Sequence, residues 1–276
     1  MSTDTAWADH NFTTTDGTRL HNVEMGRGTP VILIHGAGGS AVGNWFANGV
    51  APRLAKSNRV IGIDMRAHGL SEAGPPDGRS KMAADVIAFM DAQGIGKAHI
   101  AGYSMGGGVT LALLVDHADR FITAGFHGSG VAEVGEWRDQ VPADKHGVDP
   151  EAVEARAAYQ AARAERGEEI GNDAAASAAR TPEQEAAARA RSEAMAKRRE
   201  ALLARLDLTR IRFPVMAING EFDFPLAKTH RLWRELDDFT NLVLPGKGHL
   251  SAVMAGFIPP AYIDGMAAFI ERNNPR

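Results

Sequence analysis

A serine flanked by two glycines constrains the fold of this chain more than any other feature. Residues 102–106 read Gly-Tyr-Ser-Met-Gly, with Ser104 at the centre. The mostly apolar residues 97–101 before the motif have the pattern of a strand, and residues 107–114 after it have that of a helix. Glycines two positions before and after the serine permit a sharp turn, because they let neighbouring backbone pass close by. The pattern predicts a strand, a tight turn that exposes Ser104, and a helix.

Strand and helix patterns alternate along most of the chain. Residues 18–24 alternate between polar and apolar, as expected of a half-buried edge strand. Continuous apolar runs, typical of strands buried on both faces, occupy residues 31–34, 60–63, 99–101, 121–126, 214–218 and 241–244. Helical patterns fall between them at residues 45–56, 80–93, 105–117, 228–235 and 260–272. This alternation predicts an α/β fold, with a mainly parallel sheet covered by helices on both faces.

Residues 131–210 differ in composition from the rest of the chain. Residues 151–205 are dominated by Ala, Arg and Glu, which are strong helix formers. Pro150 and the pair Thr181-Pro182 are expected helix starts, with Thr181 as an N-cap. We predict two or three helices inserted between sheet strands, with a charged linker as the alternative. The chain then divides into a core of residues 1–130 and 211–276 and a helical insertion of residues 131–210.

Composition narrows the possible functions. The 276 residues carry a formal net charge of −4, so there is no basic footprint for nucleic acid and no polybasic membrane anchor. The absence of cysteine removes disulfides, thiolate metal sites and a cysteine nucleophile. No apolar run approaches the roughly 20 residues that span a bilayer, and the first ten residues lack a secretory signal pattern. We therefore expect a cytoplasmic protein with no nucleic-acid or membrane partner.

The serine of the turn needs a base, because a hydroxyl is a poor nucleophile at neutral pH. Among ten histidines, His249 follows the predicted strand 241–244 in a loop that contains two glycines. Open α/β sheets place their sites at this end of their strands. An ordinary loop histidine is the alternative interpretation of His249.

The base in turn needs a partner that fixes its tautomer. Asp223 follows the predicted strand 214–218 and is the candidate; a turn aspartate is the alternative, and Glu221 is its nearest competitor. The order Ser104, Asp223, His249 along the chain matches the Ser, Asp or Glu, His order of one major hydrolase architecture.

A glycine-rich loop follows the predicted strand 31–34. Residues 35–40 read His-Gly-Ala-Gly-Gly-Ser and could direct backbone N–H groups into a site. We assign the two oxyanion-hole donors to the N–H groups of Ala37 and Met105. A phosphate-binding loop is the rival interpretation, but the segment lacks both the G-x-G-x-x-G spacing and a Gly-Lys-Ser/Thr ending. His35 itself is expected to be a structural hydrogen-bonding residue.

Five motifs in order give the chain a family resemblance. They are His35-Gly36, residues 64–71 (Asp-Met-Arg-Ala-His-Gly-Leu-Ser), residues 102–106, residues 220–223 and Gly248-His249. Together they resemble the α/β-hydrolase superfamily over nearly the whole chain apart from residues 131–210. Ala67 stands where that family's Asp-x-Arg-Gly-x-Gly-x-Ser turn usually has glycine. The resemblance implies an α/β-hydrolase fold with an eight-stranded sheet, a helical cap over a buried pocket, and no metal or organic cofactor.

The leading hypothesis is a carboxylesterase-like serine hydrolase whose partner is a small-molecule ester, lactone or thioester. Carbon–carbon bond hydrolysis of a diketone and perhydrolase activity are alternatives on the same three residues. A binding protein that uses the fold as a receptor pocket is an alternative of another class. A serine at the turn argues against epoxide hydrolases and haloalkane dehalogenases, which resemble the chain elsewhere but use aspartate there.

Residues near the predicted catalytic positions are candidates for substrate contact. Trp45 and Phe46 follow the glycine-rich loop, although packing of an early helix is the alternative, and His127 ends a strand near the predicted mouth. An apolar wall around the catalytic residues would comprise Phe222, Phe224 and Leu250. The Arg-rich insertion is expected to be a solvated helical face; an anion-binding patch that an acidic substrate would use is the alternative. An apolar face of the insertion could also serve a homodimer.

Overall fold

The computed structural model describes residues 7–75, 78–131, 149, 151–167 and 181–276. Pro150, one of the predicted helix starts, lies outside these ranges, as do large parts of the predicted insertion. Pro182 begins a helix, as the Thr181-Pro182 pair predicts.

Eight strands form one sheet in which the central strands run parallel. The spatial order is β1-β2-β4-β3-β5-β6-β7-β8; β1 and β4 each pair antiparallel with β2, and the remaining pairs are parallel. The strands are β1 (Ala8–Thr13), β2 (Arg19–Gly26), β3 (Thr29–Ile34), β4 (Asn58–Ile63), β5 (Ala98–Tyr103), β6 (Phe121–His127), β7 (Val215–Gly220) and β8 (Phe239–Leu244). The predicted α/β-hydrolase fold is confirmed.

The first strand corrects one expectation. The sequence predicts that residues 18–24 form an edge strand. They lie largely in β2, and β1 pairs with β2 and takes the edge position, with His10 opposite Asn22. Because β1 is almost entirely exposed, its sequence has no apolar face that would mark it as a strand.

Seven α-helices lie in the described part of the chain. They are α1 (Val50–Leu54), α2 (Met82–Ala92), α3 (Met105–His117), α4 (Ala152–Glu165), α5 (Pro182–Arg205), α6 (Pro225–Glu235) and α7 (Pro260–Arg272). The helix predicted over residues 45–56 is instead a π-helical turn, Val42–Phe46, followed by α1. Gly49, with a φ of 91°, separates the two pieces, because a left-handed residue cannot continue a right-handed helix.

The core has two layers because successive side chains of a strand point to opposite faces. In β3, Ile32 and Ile34 join one cluster, and Val31 and Leu33 join the other. The first cluster packs against α2 and α3, and the second packs against α1, α7 and the π-helical turn. Helices therefore cover both faces, and the carboxyl ends of the parallel strands meet along one edge.

The two described helices of the predicted insertion, α4 and α5, lie between β6 and β7 in the chain. Helix α4 packs against the π-helical turn, and α5 packs against α3. Ala155 of α4 belongs to one core cluster, and Leu202 of α5 packs against the other. The boundaries of the insertion and its role as a cap stay predictions. Within the described ranges, no helix is long and apolar enough to cross a membrane.

Candidate active site

The turn between β5 and α3 holds Ser104 in a strained conformation, with φ 51° and ψ −106°. A Cβ at Gly102 would lie 2.1 Å from the carbonyl oxygen of Gly106, and one at Gly106 would lie 2.3 Å from that of Ile34. Both positions therefore require glycine. The N–H of Ser104 donates to the carbonyl oxygen of His127 at 2.8 Å, which fastens the turn to the end of β6.

Three side chains from three loops form one hydrogen-bonded row. The Ser104 hydroxyl lies 3.0 Å from His249 Nε2, and His249 Nδ1 lies 2.8 Å from Asp223 Oδ2. Because a carboxylate only accepts, Nδ1 carries the hydrogen and Nε2 is free to accept the serine proton. The Asp223 side chain is 9% exposed, whereas that of His249 is 39% exposed. The row has the arrangement that activates a serine, and its catalytic role stays a prediction.

Two neighbouring loops position the aspartate and the histidine. The N–H of Phe222 donates to the carbonyl oxygen of Lys247 at 2.9 Å, so the loop after β7 is bonded to the loop after β8. A Cβ at Gly220 would lie 2.3 Å from the same oxygen, which makes glycine necessary there. Glu221 accepts from the N–H of Gly246 at 2.8 Å. The competitor of Asp223 therefore braces the loop and does not bond to the His249 ring.

Tyr103 contacts His249 through both its ring and its hydroxyl. Its ring stacks on the His249 ring with centroids 5.1 Å apart, and its hydroxyl donates to the His249 carbonyl oxygen at 2.5 Å. Burial raises the pKa of Tyr103 well above its ordinary value, so the hydroxyl keeps its proton and acts as a donor. Ring and hydroxyl together fix the His249 backbone and limit tilting of the imidazole.

The glycine-rich loop is anchored at both ends. At its start, His35 accepts from the N–H of Met65 at 2.9 Å and donates to the Gly36 carbonyl oxygen at 2.7 Å, so His35 is the structural residue that was predicted. At its end, the N–H of Ala41 donates to Asp64 at 2.7 Å. Burial would raise the pKa of Asp64, but hydrogen bonds, His21 foremost, hold it below its ordinary value. The loop is thus bonded to the end of β4.

The loop and α3 place two backbone groups beside the serine. Ala37 lines two cavities together with Ser104, and Met105 lines one of them. Met105 is the first residue of α3, so its N–H has no acceptor within the helix. The helix dipole also favours negative charge at this end. These features suit the oxyanion role assigned to Ala37 and Met105, which stays a prediction.

Ser104 stands between two cavities of different character. A cavity of about 480 Å³ is mainly apolar and lies between α3 and α5; its walls include Met82, Met105, Val109, Leu111, Met195 and Leu202. A cavity of about 180 Å³ is more polar and lies under α4; its walls include Asn44, Arg156, Tyr159, Gln160, His249 and Leu250. A substrate bound across Ser104 would place an apolar part on one side and a polar part on the other.

Asn44 lines the smaller cavity and carries a buried amide nitrogen. Its Oδ1 accepts from the N–H of Gly36 at 2.8 Å, which fixes the orientation of the amide. Its Nδ2 then points away from that contact, is buried, and has no hydrogen-bond partner among the described residues. A buried donor without a partner costs about 1–3 kcal/mol, so its presence in a cavity wall suits an acceptor on a bound molecule.

Three residues correct the expectation of substrate contact. Trp45 and Phe46 are fully buried in the core cluster that contains Val31, so the packing alternative is the correct one. His127 is 1% exposed and bonds through Nδ1 to the Tyr262 hydroxyl at 2.8 Å. Burial lowers the pKa of His127 to about 3, so the ring is neutral. Its side chain points into the core and not towards the cavities.

The apolar wall is only partly present. Leu250 lines the smaller cavity, whereas Phe222 and Phe224 line neither of the two. Phe224 has a φ of 49° and precedes the proline that begins α6.

Sequence reasoning did not single out Asn44, Arg156, Tyr159 or Gln160. The last three share one face of α4, because residues three and four apart are neighbours on a helix. The spacing indicates that the three side chains share a face, but only the structure shows that this face of α4 is turned towards Ser104. Within the described ranges, no group of three or more His, Asp or Glu side chains is placed to hold a metal ion.

Comparison with known proteins identifies the family. A family model described as the alpha/beta hydrolase fold matches residues 29–252. The chain belongs to the α/β-hydrolase family. A solved structure of the serine hydrolase CCSP0084 from Cycloclasticus zankles superposes on this hydrolase-family chain with a TM-score of 0.68, covering 96% of it and 98% of that chain. Sequence identity there is 23%, so the likeness concerns the fold.

Two curated relatives of this α/β hydrolase align over shorter stretches. The 2-hydroxymuconate semialdehyde hydrolase of Pseudomonas sp. (strain CF600) is 41% identical over 108 residues, which are 37% of this chain and 36% of that protein. Esterase YbfF of Escherichia coli (strain K12) is 41% identical over 93 residues, which are 33% of this chain and 35% of that protein. The chain therefore spans about a third of the length of each relative.

Proposed function

We propose that this protein is a serine hydrolase that cleaves a carboxylic ester, lactones and thioesters included, through an acyl-enzyme intermediate. The observation that carries the proposal is the row of hydrogen bonds from Ser104 through His249 to Asp223, at 3.0 and 2.8 Å. A hydroxyl, an imidazole and a carboxylate in this sequence form the general apparatus of acyl transfer to serine.

The first half of the reaction forms the acyl-enzyme. Ser104 Oγ attacks the ester carbonyl carbon while His249 Nε2 accepts its proton. The oxygen of the tetrahedral intermediate accepts from the N–H groups of Ala37 and Met105; one such donor is typically worth a factor of about 10²–10³ in rate. His249 then gives the proton to the departing alcohol.

The second half releases the acid. Water enters where the alcohol left, His249 takes one of its protons, and the hydroxide attacks the acyl carbon. The tetrahedral intermediate collapses, and Ser104 recovers its proton from His249. Asp223 stabilises the imidazolium in both halves. Helices α4 and α5 act as a cap that holds the two ends of the substrate in the two cavities.

The cavities indicate the shape of the ester. The larger one, of about 480 Å³, accepts an apolar group of substantial size. The smaller one is lined by Asn44, Arg156, Tyr159 and Gln160, whose side chains are of types that donate hydrogen bonds, and it suits a compact group rich in oxygen. We therefore infer an ester in which a bulky apolar part and a small polar part flank the scissile bond.

A second candidate function uses the same residues. One relative is named as a hydrolase of a semialdehyde, whose name denotes no ester, whereas another is named as an esterase. Carbon–carbon bond hydrolysis of a diketone therefore remains the alternative, with perhydrolysis as a further variant on the same triad. Purely non-catalytic ligand binding is the alternative of another class.

The deciding experiment compares the wild type with Ser104→Ala on p-nitrophenyl acetate, butyrate and octanoate. A saturable rate that collapses in the variant supports the ester proposal, and the chain-length trend measures the apolar cavity. An unchanged rate in the variant would exclude Ser104 as the nucleophile. If no ester is turned over, a panel of diketones and an assay of peracid formation separate the alternatives. Labelling by a fluorophosphonate without any turnover would favour ligand binding.

A further inference from the structure

A lysine lies on the far side of the proposed triad. Lys228 is the fourth residue of α6, five residues after Asp223, and its side chain is 14% exposed. Its Nζ lies 2.5 Å from Asp223 Oδ1, while His249 occupies Oδ2. The same Nζ donates to the carbonyl oxygen of Gly128 at 3.2 Å. The aspartate is therefore held between an imidazole and an ammonium group.

We propose that Lys228 is a positioning residue that holds the Asp223 carboxylate and sets the lower end of the pH range in which His249 acts as a base. This inference rests on the proposed function. A charged ammonium on Oδ1 draws negative charge away from the oxygen that faces His249. Removal of the ammonium group would leave the full carboxylate charge beside the imidazole, so we expect the reactivity of Ser104 to fall on the acid side of its pH profile.

The backbone around Lys228 favours this role over that of a surface ion pair. Phe224, with its left-handed φ of 49°, turns the chain so that α6 starts directly at Pro225. A Cβ at Gly130 would lie 2.1 Å from the carbonyl oxygen of Lys228, so the segment after β6 passes closely against α6. The Lys228 backbone therefore packs against this segment, and its side chain reaches both Gly128 and Asp223.

The carbonyl that Lys228 binds belongs to a residue at the histidine ring. Gly128 has a φ of 56°, and a Cβ there would lie 3.2 Å from His249 Cε1 and 2.7 Å from the Tyr103 ring. Lys228 therefore restrains the carboxylate on one side of His249 and the backbone on another. A purely stabilising ion pair would not need both contacts.

Among the residues that the structure describes, the other charged and titratable groups near His249 have different partners or face a cavity. Glu221 accepts from Gly246, Lys247 pairs with Glu151, and Asp149 accepts from the N–H of Ser251. Arg199 donates to the carbonyl oxygen of Gly130, Arg156 lines the smaller cavity, and the Tyr103 hydroxyl donates to the His249 backbone. Lys228 is the one for which the structure gives an ion pair with Asp223.

The test measures inactivation by a fluorophosphonate, since it reports the reactivity of Ser104 without knowledge of the natural substrate. Second-order rates from pH 5 to 9 are compared for the wild type, Lys228→Met and Lys228→Arg. We expect the acid limb of the profile to move to higher pH by about half to one unit in Lys228→Met. At the lowest pH values, the rate of that variant divided by its own plateau rate is then about three- to ten-fold lower than the same ratio for the wild type. Lys228→Arg keeps the wild-type limb.

Two controls separate charge from stability. Arg231→Met on the same helix removes an ion pair with Glu235 at 3.0 Å that does not touch Asp223, so its limb should stay in place. The chain has no cysteine, so Lys228→Cys can be alkylated at that position alone. Bromoethylamine then restores an ammonium group and should restore the limb, whereas a neutral ethyl group of similar length should not.

The outcomes distinguish this inference from the function on which it rests. An acid limb that stays in place in Lys228→Met while Ser104 is still labelled would overturn the role of Lys228 and leave the serine hydrolase intact. Equal displacement of the limb in Arg231→Met would overturn it as well. A wild type that is not labelled, or is labelled equally in Ser104→Ala, would overturn the proposed function and the role of Lys228 with it.

Discussion

The hydroxyl of Tyr159 accepts a hydrogen bond from the backbone N–H of Ser40 at 3.0 Å. One residue lies on α4 and the other at the end of the glycine-rich loop that carries Ala37. The Tyr159 ring also fills space above Gly39 and Gly43, where a Cβ would lie 2.6 and 2.4 Å from its atoms. The position of α4 and the shape of the proposed oxyanion hole are therefore coupled through one side chain.

This contact predicts that small changes under Tyr159 lower activity. Tyr159→Phe removes one hydrogen bond, worth about 0.5–1.5 kcal/mol, and we expect kcat/KM for the preferred p-nitrophenyl ester to fall about two- to ten-fold. Gly43→Ala displaces the ring itself and should lower it further. Gly96→Ala is the matched control, because nothing lies within 4 Å of a Cβ there. Wild-type kcat/KM in both Tyr159→Phe and Gly43→Ala would show that the loop does not depend on α4.

The amide of Asn44 allows its two functions to be separated. In Asn44→Asp an oxygen still accepts from Gly36, but the buried amide nitrogen, a donor, is replaced by an oxygen that only accepts. If that donor binds substrate, kcat/KM should fall at least ten-fold, mainly through KM, since a buried hydrogen bond is replaced by repulsion between two acceptors. Steady-state kinetics on esters with and without an oxygen beyond the scissile group measures the effect. An equal loss on both kinds of ester would contradict substrate binding and indicate damage to the loop.

Ala67 occupies a backbone conformation that suits glycine. Its φ is 61°, and it stands where glycine is usual in the turn after β4. A left-handed conformation costs a residue with a Cβ about 1–2 kcal/mol, partly offset by the larger chain entropy that glycine loses on folding. Ala67→Gly should therefore raise the free energy of unfolding by about 0.5–1 kcal/mol, measured by urea denaturation. Unchanged or lower stability would mean that the methyl group makes compensating contacts.

Sequence patterns could identify the strand-to-helix turn because its requirements are local. A Cβ at Gly102 or Gly106 would clash with atoms a few residues away or in the adjacent strand. This local requirement for glycine is visible in the sequence as a short motif. Asp223 and His249 could be assigned because each follows a parallel strand, and the carboxyl ends of parallel strands share one edge of the sheet. These inferences needed only chain order and strand direction.

The wrong predictions concern residues whose contacts depend on which face of a strand or helix they occupy. Phe126 and His127 are neighbours in β6, yet Phe126 belongs to one core layer, while His127 packs with Trp45 and Tyr262 on the opposite face. A shift of one position exchanges the faces of a strand, and the end of β6 carries no pattern that fixes it. Lys228 and Tyr159 meet their partners only after α6 and α4 have docked, so no spacing in the sequence announces those contacts.

Two buried histidines predict loss of stability in mild acid. Burial lowers the pKa of His127 to about 3 and that of His99 to about 4, against about 6.5 in an unfolded chain. The unfolded chain therefore binds more protons below pH 6.5, and the free energy of unfolding falls as the pH drops from 6.5 towards 4. At pH 5 each histidine accounts for about 2 kcal/mol, from 1.5 pH units at about 1.4 kcal/mol each. Urea denaturation at pH 7 and pH 5 measures the difference.

Variants at two histidines check the sign of this effect. His99→Gln removes one of the two groups and should reduce the stability difference between pH 7 and pH 5 by about 2 kcal/mol. His21 should act in the opposite direction: burial would lower its pKa, but Asp64 and Asp9 together raise it above the ordinary value. The stabilisation that His21 contributes is complete below pH 6.5 and is lost as the pH rises through the folded pKa of His21. His21→Gln should therefore make the free energy of unfolding fall more steeply between pH 7 and pH 5. Equal slopes in the wild type and both variants would mean that carboxylates, and not buried histidines, govern the acid response.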